Sequence, residues 1–362
     1  ISQSRNISVE QLNQIADNLE TLFNAQKAQE YGLVDELYYK DQVLEELKGM
    51  TGSNKSINTV TNANYAKSYK QKSNSKNEVA VIYASGQIFD GKGMEDENIY
   101  SENLCKTIRK AREDDNVKAI VLRVNSPGGS AVASAIIGRE LDLTKAVKPV
   151  IVSMGNYAAS GGYWISAKGD YIFADPTTLT GSIGVFGTFP NAQGFLNDKV
   201  GLTFDVAKTN KNADFGYFTQ PLTEFQYAKL QENVVKTYDD FTRRVAEGRG
   251  LRQSYVDSIG QGRVWAGADA IGLGLVDQLG DMEDAIAFAA EKANLSNDYK
   301  VTEWPKQKDF FTRLMDQMSG SDKLDAAMRS KLGGYYDYIQ GLENLQKNTG
   351  IQARMPFDMV IE

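Results

Sequence analysis

Between residues 79 and 163, strand and helix signals alternate, and this alternation limits the fold more than any other feature of the chain. Val79-Ala-Val-Ile-Tyr83 reads as a buried strand. After a loop at Asp90–Glu97, the residues Leu104, Cys105, Ile108 and Ala111 mark one face of a helix. Ala119-Ile-Val-Leu-Arg-Val124 is the next strand. It runs into Asn125-Ser-Pro-Gly-Gly-Ser130 and a helix that ends near Thr144. Val150-Ile-Val-Ser153 then leads into Met154-Gly-Asn-Tyr-Ala-Ala-Ser-Gly-Gly-Tyr163. This order predicts an α/β fold with parallel strands and helices on both faces.

Ligands of such sheets collect at the carboxyl ends of the strands. Gly128-Gly129 and Ser160-Gly161 both stand at such ends. The second turn is crowded with small residues, and it can present Ser160 at a helix N-terminus. Free backbone N–H groups there favour negative charge, which suits a nucleophile that must hold an acyl group beside an oxyanion. A simple packing turn would use the same residues, so other features have to decide.

Histidine decides most, because the chain has none. Ser-His-Asp and Cys-His pairs are therefore impossible within it, as are histidine-based zinc sites. A serine nucleophile here needs another base. The realistic one is a lysine held neutral by burial, its pKa brought from about 10.4 to about 7–8. The single cysteine, Cys105, sits on an apolar helix face with no base near it in sequence, and reads as a core residue.

The remaining composition narrows the partners. A net charge of −7 over 362 residues gives no reason to expect nucleic acid or an anionic membrane surface. No apolar run is long enough to span a bilayer, and the N-terminus lacks the basic-then-apolar pattern of a secretion signal. No metal or nucleotide cofactor is expected: there is no ligand cluster and no Gly-x-x-x-x-Gly-Lys loop. The chain begins at Ile1 and not at Met, which suggests a fragment or a processed product.

Four segments are expected. Residues 1–48 read as helical, with a break near Glu30–Asp35. Residues 49–77, rich in Ser, Asn, Lys and Thr, read as a linker. Residues 78–290 form the α/β unit, and 291–362 a helical extension with a short amphipathic helix at 310–318. Within the α/β unit, strands are also expected at Tyr171–Ala174, Leu179–Val185 and Thr203–Val206. A long helix is expected over Thr223–Glu247, its core stripe being Tyr227, Leu230, Val234, Tyr238, Phe241 and Val245. The residues from Asn348 onward have no evident assignment.

One stretch occurs twice. Ala28-Gln-Glu-Tyr-Gly-Leu-Val-Asp-Glu-Leu37 matches Ala270-Ile-Gly-Leu-Gly-Leu-Val-Asp-Gln-Leu279, so that Gly32 falls on Gly274 and Asp35 on Asp277. Upstream, Arg5 falls on Arg249 after a two-residue slip. In the second copy the stretch closes an α/β unit, whereas in the first it opens the chain. A tandem duplication with a truncated first copy is the simplest reading.

Asn125-Ser-Pro-Gly-Gly129, Met154–Tyr163, Leu179-Thr-Gly-Ser-Ile-Gly184 and the downstream Gly-Leu-Val-Asp277, in this order, resemble the signal peptide peptidase A family in its long, double-domain form. The resemblance is strong over about 78–290 and extends over 1–48 and the C-terminal region. It implies the ClpP/crotonase-like fold of repeated ββα units, tandem-duplicated. It also implies a serine endopeptidase with a Ser-Lys dyad that degrades remnant signal peptides and other apolar peptides. Ser160 matches the nucleophile, the N–H groups of Gly129 and Gly161 the oxyanion hole, and Ser182 the serine that orients the lysine. The lysine is where this chain departs: the position used by short family members is Ala213. The long-form pattern puts the lysine in the first repeat, upstream of Ile1. Lys208 and Lys211 lie in a polar stretch and read as solvated. A homo-oligomer, a tetramer in the long form, is also implied, as is anchorage in the inner membrane with the body facing the periplasm.

Two other functions use the same expected framework. A crotonase-type acyl-CoA hydratase or thioesterase would aim paired backbone donors at a thioester carbonyl and have no need of a serine at 160. A non-catalytic assembly domain would need neither. For the peptidase, substrate is expected to add as an extended strand against an exposed sheet edge.

Overall fold

The structure is a computed structural model. It describes residues 1–22, 24–52, 57, 59–62, 64–65, 75–93, 98–305 and 350–354. The chain divides into two units, Ile1–Gln71 and Lys72–Glu362.

Among the described residues of the smaller unit the helices with defined bounds are α1 (Ser2–Arg5), α2 (Val9–Asp17), α3 (Ala25–Glu30) and α4 (Lys40–Thr51). Ser8 caps α2 by accepting from the Gln11 N–H. Only Ile7 and Ile15 of its described large apolar side chains are buried. After α3 the chain reverses through Gly32 (φ 72°), and the Leu33 N–H donates to the Ala28 carbonyl at 2.9 Å. Arg5 reaches Asp35 through two hydrogen bonds of 2.6 and 2.9 Å.

Among the described residues of the larger unit the α-helices are α5 (Ser101–Glu113), α6 (Ala131–Lys145), α7 (Gly161–Ser166), α8 (Glu224–Arg249), α9 (Gln253–Ile259), α10 (Gly267–Gly272) and α11 (Met282–Lys292), with one turn of π-helix at Phe195–Val200. Its strands are β1 (Glu78–Ser85), β2 (Ile88–Phe89), β3 (Ile99–Tyr100), β4 (Val117–Ser126), β5 (Gly128–Ser130), β6 (Val150–Ala159), β7 (Tyr171–Ala174), β8 (Leu179–Gly181), β9 (Phe186–Thr188), β10 (Val264–Ala266), β11 (Gln278–Leu279), β12 (Lys300–Trp304) and β13 (Gly350–Arg354). An eight-stranded sheet runs β10-β8-β6-β4-β1-β12, with β7 on β6 and β11 on β7. Its centre is parallel, as the strand–helix alternation implies. Its β10 edge is antiparallel, so the sheet is mixed. A five-stranded sheet runs β3-β2-β5-β13-β9.

Burial on both faces explains why the central strands carry continuous apolar runs. Ala80, Ile82 and Ala84 point to one side of β1 and pack with Ile108 of α5, Ile137 of α6 and Phe241 of α8. Val79 and Val81 point to the other and pack with Ala285 and Ala289 of α11. Each fully buried Val or Ile contributes about 1.5–3 kcal/mol by leaving water. Cys105 belongs to the first cluster.

Sequence and structure differ in four places. β6 does not stop at Ser153 but continues through the small residues to Ala159. Its first half pairs with β7, and Tyr157–Ala159 pair with β8. The small side chains that suggest a turn in the sequence permit close strand approach here. Thr203–Val206 makes no sheet pairing among the described residues; Phe204 is exposed there. α8 begins where expected, with Thr223 and Gln226 forming a capping box. Of its stripe, however, only Phe241 and Val245 are buried, and Tyr227 is exposed. Finally, β12 lies past residue 290 and pairs with β1, while the helix expected at 310–318 lies outside the described residues.

The second copy of the repeated stretch closes like the first. After α10 the chain reverses through Gly274 (φ 74°), and the Leu275 N–H donates to the Ala270 carbonyl at 2.9 Å. A left-handed glycine just past a helix satisfies the helix's last carbonyls. Arg249 donates to Asp277 at 2.5 Å, as Arg5 does to Asp35.

Candidate active site

The site is built where β6 ends. Ser160 follows Ala159 and is the residue before α7, with φ 54° and ψ −115°. Side chains rarely adopt this backbone conformation, which costs about 1–3 kcal/mol where it is held. Strained strand-to-helix elbows present nucleophilic serines in α/β-hydrolases. Three backbone and side-chain bonds hold this elbow. The Ser160 N–H donates to the Gly181 carbonyl at 2.9 Å, and the Trp164 N–H donates to the Ser160 carbonyl at 2.8 Å. The Ser160 hydroxyl donates to the Gly184 carbonyl at 3.4 Å, a long bond that engages it only weakly.

Ser182 is brought close by strand pairing. β8 lies parallel to β6 with Gly181 opposite Ala159, so Ser182 stands just past the residue that holds the Ser160 amide. Ser182 is buried, has φ 46°, and donates its N–H to the Arg263 carbonyl at 2.8 Å.

Gly129 and Gly161 come from two other elements. The cap at Ser130, which accepts from the Ala133 N–H at 3.2 Å, joins β5 directly to α6. This fixes Gly128 and Gly129 against the start of α7. A Cβ on Gly128 would lie 2.7 Å from the Gly161 nitrogen, and one on Gly129 would lie 2.0 Å from the Ile88 carbonyl oxygen. On Gly161 a Cβ would lie 2.6 Å from the Ser134 Oγ and 2.9 Å from the Ala353 carbonyl oxygen. No side chain fits at these positions, which is the physical reason for glycine at each.

Thus the four residues singled out from the sequence, Ser160, Gly129, Gly161 and Ser182, gather around one elbow. Others enter the site only with the structure. Gly181 and Gly184 supply carbonyls to Ser160. Ser134, whose hydroxyl donates to the Ser130 carbonyl at 2.8 Å, backs Gly161; its spacing of one helical turn from Ser130 is the signal the sequence offers. Ala353 carries no such signal, because its place comes from strand pairing alone.

Of the two lysines near in sequence, Lys208 is engaged elsewhere. Lys208 is not simply solvated: its Nζ donates to the buried Asp214 carboxylate at 2.5 Å. That hydrogen bond, with another from Gln220, holds Asp214 below the usual carboxylate range. Lys211 and Ala213 are exposed. Among the described residues no lysine bonds to Ser160 or Ser182. Among them also, no cluster of cysteine and carboxylate side chains is placed to hold a metal ion, and no helix is long and apolar enough to cross a membrane. Burial, with Glu140 nearby, pushes the Cys105 thiol up to about 11.

Comparison with known proteins bears on the whole chain. The sequence model of peptidase family S49 matches residues 1–54 and 142–296. "Protease 4" of Salmonella typhi is 39% identical over 329 residues, which cover 89% of this chain and 53% of that protein. "Serine protease SPPA, chloroplastic" of Arabidopsis thaliana is 33% identical over 344 residues, 92% of this chain and 50% of that one. The chain therefore spans about half the length of these relatives. A solved point mutant of ClpP1 from Listeria monocytogenes overlaps 58% of this chain and 95% of its own, with 16% identity and a TM-score of 0.38, too loose a fit to decide a fold family. With more than half of its length matched, including the elbow at Ser160, the chain belongs to peptidase family S49.

Proposed function

We propose that this chain carries the nucleophile half of a serine endopeptidase that cuts apolar peptides, remnant signal peptides among them. The observation that carries the reading is the strained backbone of Ser160 at the strand-to-helix elbow, with Gly129 and Gly161 packed beside it. Ser160 Oγ attacks the scissile carbonyl. The N–H groups of Gly129 and Gly161 receive the oxyanion, and loss of one such donor costs about 2.7–4 kcal/mol of transition-state stabilisation. Ser182 orients a lysine ammonium. That lysine comes from a first-repeat domain, so the dyad is split between two copies of one fold.

What supports the duplication is the pair of matching closures. Gly32 and Gly274 share the left-handed conformation, and the ion pairs Arg5–Asp35 and Arg249–Asp277 recur at matched positions. The family's ClpP/crotonase-like fold accords with the parallel centre of the sheet and its helices on both faces. A split dyad also calls for an oligomer, and the cleft that exposes Phe204, Tyr217 and Phe218 offers apolar surface for one. Anchorage at the inner membrane, with the body facing the periplasm, belongs to the same reading and rests on the family motifs alone.

The test is hydrolysis of a fluorogenic apolar peptide by this chain, alone and mixed with the first-repeat half of a long-form relative. Activity is expected only in the mixture, and Ser160→Ala is expected to abolish it. Activity of the chain alone would sink the split dyad and make Lys208 or Lys211 the base to examine. Hydration of an acyl-CoA, undisturbed by Ser160→Ala, would favour the crotonase-type enzyme instead.

A further inference from the structure

Ser182 is held in place by the turn Gly260–Arg263, which joins α9 to β10. The Ser182 N–H donates to the Arg263 carbonyl at 2.8 Å, and the Gly262 N–H donates to the Ile183 carbonyl at 2.9 Å. One residue further on, a Cβ on Gly184 would stand 2.7 Å from the Gly262 Cα, so the two backbones touch. The Gly184 carbonyl is the one that accepts the Ser160 hydroxyl. The turn therefore sets where Gly181–Gly184 lies, and with it Ser182 and both carbonyls that Ser160 uses. It is itself a strained turn. Gln261 has φ 58° and Gly262 φ 81°, and the first is a shape that a residue with a side chain rarely takes. Two side chains hold it there. Arg263 Nη1 donates to the Ser258 and Gly260 carbonyls at 3.2 and 3.1 Å. From α8, Tyr238 Oη accepts the Gln261 N–H at 3.1 Å and donates to Asp257 Oδ1 at 2.7 Å. A Cβ on Gly260 would stand 3.0 Å from Tyr238 Oη and 3.3 Å from the Ile183 carbonyl oxygen. Only the width of one backbone separates this phenol from the strand end that carries Ser182.

A tyrosine hydroxyl has one proton to give and lone pairs to accept with. Asp257 takes the proton, which leaves a lone pair for the Gln261 amide. The ring packs against the core of the larger unit. In the sequence Tyr238 is one member of an apolar stripe, and nothing there signals a polar task. We propose that Tyr238, oriented by Asp257, is a positioning residue for the nucleophile. Through the turn Gly260–Arg263 it fixes Ser182, and through Ser182 the lysine ammonium that has to reach Ser160 Oγ. Tyr238 bonds to neither serine and acts only through the turn. The proposal rests on the assignment of Ser160 and Ser182 made above. A misplacement of about 1 Å caused far from the chemistry can cost about a hundredfold in rate. A loosened turn should therefore slow the chemical step and leave the binding of substrate unchanged.

The test is Tyr238→Phe, which keeps the ring and removes one oxygen. Its first readout is hydrogen exchange, which needs no turnover. The Gln261, Gly262 and Ser182 amides are expected to exchange about fivefold faster than in the parent chain, as the loss of one hydrogen bond implies. The Ile120 amide, bonded to the Pro149 carbonyl, is expected to keep its rate. Unchanged exchange at Ser182 and Gly262 would overturn the clamp. So would an equal rise at Ile120, which would mark a general loss of stability. The second readout is hydrolysis of the fluorogenic apolar peptide by the chain mixed with the first-repeat half of a long-form relative. Tyr238→Phe is expected to lower kcat about tenfold and to keep KM within about twofold of the parent. Asp257→Asn keeps an acceptor for the Tyr238 hydroxyl and is expected to match the parent in both readouts. Tyr171→Phe, which removes a hydroxyl that donates to Gln278 at 3.2 Å, is expected to leave kcat unchanged. A rise in KM at unchanged kcat, or the same loss of kcat from Tyr171→Phe, would overturn the positioning role. A parent mixture that hydrolyses nothing would count against the peptidase reading, and hydrogen exchange would then decide the clamp by itself.

Discussion

The Ser160 amide donates to the carbonyl of Gly181 at 2.9 Å, and this one bond ties the elbow at the end of β6 to the strand that carries Ser182. Both serines have positive φ, 54° and 46°, on a backbone shape that costs free energy for any residue with a side chain. The strain is held where chemistry is assigned and is offset by the surrounding packing. Ser160→Gly should therefore raise stability by about 1 kcal/mol, because glycine adopts this conformation freely. The same change should abolish peptide hydrolysis by the chain mixed with the first-repeat half. Denaturant melts of the two proteins check the first half of this prediction, and an unchanged or lower midpoint would contradict it.

Gly161 has the Ser134 hydroxyl at its back. Gly161→Ala is expected to cost about 1–3 kcal/mol by overpacking. Adding Ser134→Ala removes the atom that a Cβ would meet at 2.6 Å, so the double variant should be more stable than the sum of the two single changes allows. A double-mutant cycle from thermal melts measures the coupling. Strict additivity would mean that the clash lies elsewhere, with the Ala353 carbonyl as the next candidate.

The two matched ion pairs should differ in worth because they differ in burial. Arg249 and Asp277 are 7% and 25% exposed, against 34% and 81% for Arg5 and Asp35. Asp277 also accepts the Ile172 N–H at 2.8 Å. Asp277→Ala strands a buried guanidinium and a backbone donor, and is expected to cost about 3 kcal/mol. Asp35→Ala is expected to leave the melting temperature within error. Equal effects at the two sites would contradict the role given to burial.

Cys105 should be unreactive in the native protein. Burial raises its thiol to about 11, so at pH 8 it is protonated as well as shielded. A disulfide reagent should find no thiol in native protein and one after denaturation. The sign of the linkage follows: a thiol with a raised folded pKa favours the fold at pH below its unfolded value, and this contribution is lost as pH rises toward about 11. Rapid labelling of native protein at pH 8 would contradict the placement.

How far the site is legible in the sequence follows from where its information resides. The alternating apolar runs of β1, β4 and the start of β6 announce buried strands, because a parallel centre needs apolar residues on both faces. Gly128-Gly129 and Ser160-Gly161 stand out as small residues at the carboxyl ends of strand runs, while Ser182 is picked out by the family resemblance alone. The rest comes from partners distant in sequence. Gly155, Ala158 and Ala159 look like a turn, and the stretch continues as strand because β8 pairs with its end. Thr203–Val206 has the pattern of a strand but finds no partner among the described residues. Gly350–Arg354 has no pattern and is a strand through β5 and β9 alone. The stripe along α8 suggests a fully core-facing helix; Phe241 and Val245 are buried, while Tyr227 is left facing solvent.

Covalent capture of the nucleophile tests the central claim most directly. The chain, mixed with the first-repeat half of a long-form relative, would be treated with a biotinylated fluorophosphonate, which attaches to activated serines, and the labelled peptide identified by mass spectrometry. A split dyad predicts the label on Ser160, little labelling without the added half, and none in Ser160→Ala. Peptide hydrolysis accompanied by a label on any other residue, or hydrolysis that survives Ser160→Ala, would contradict it.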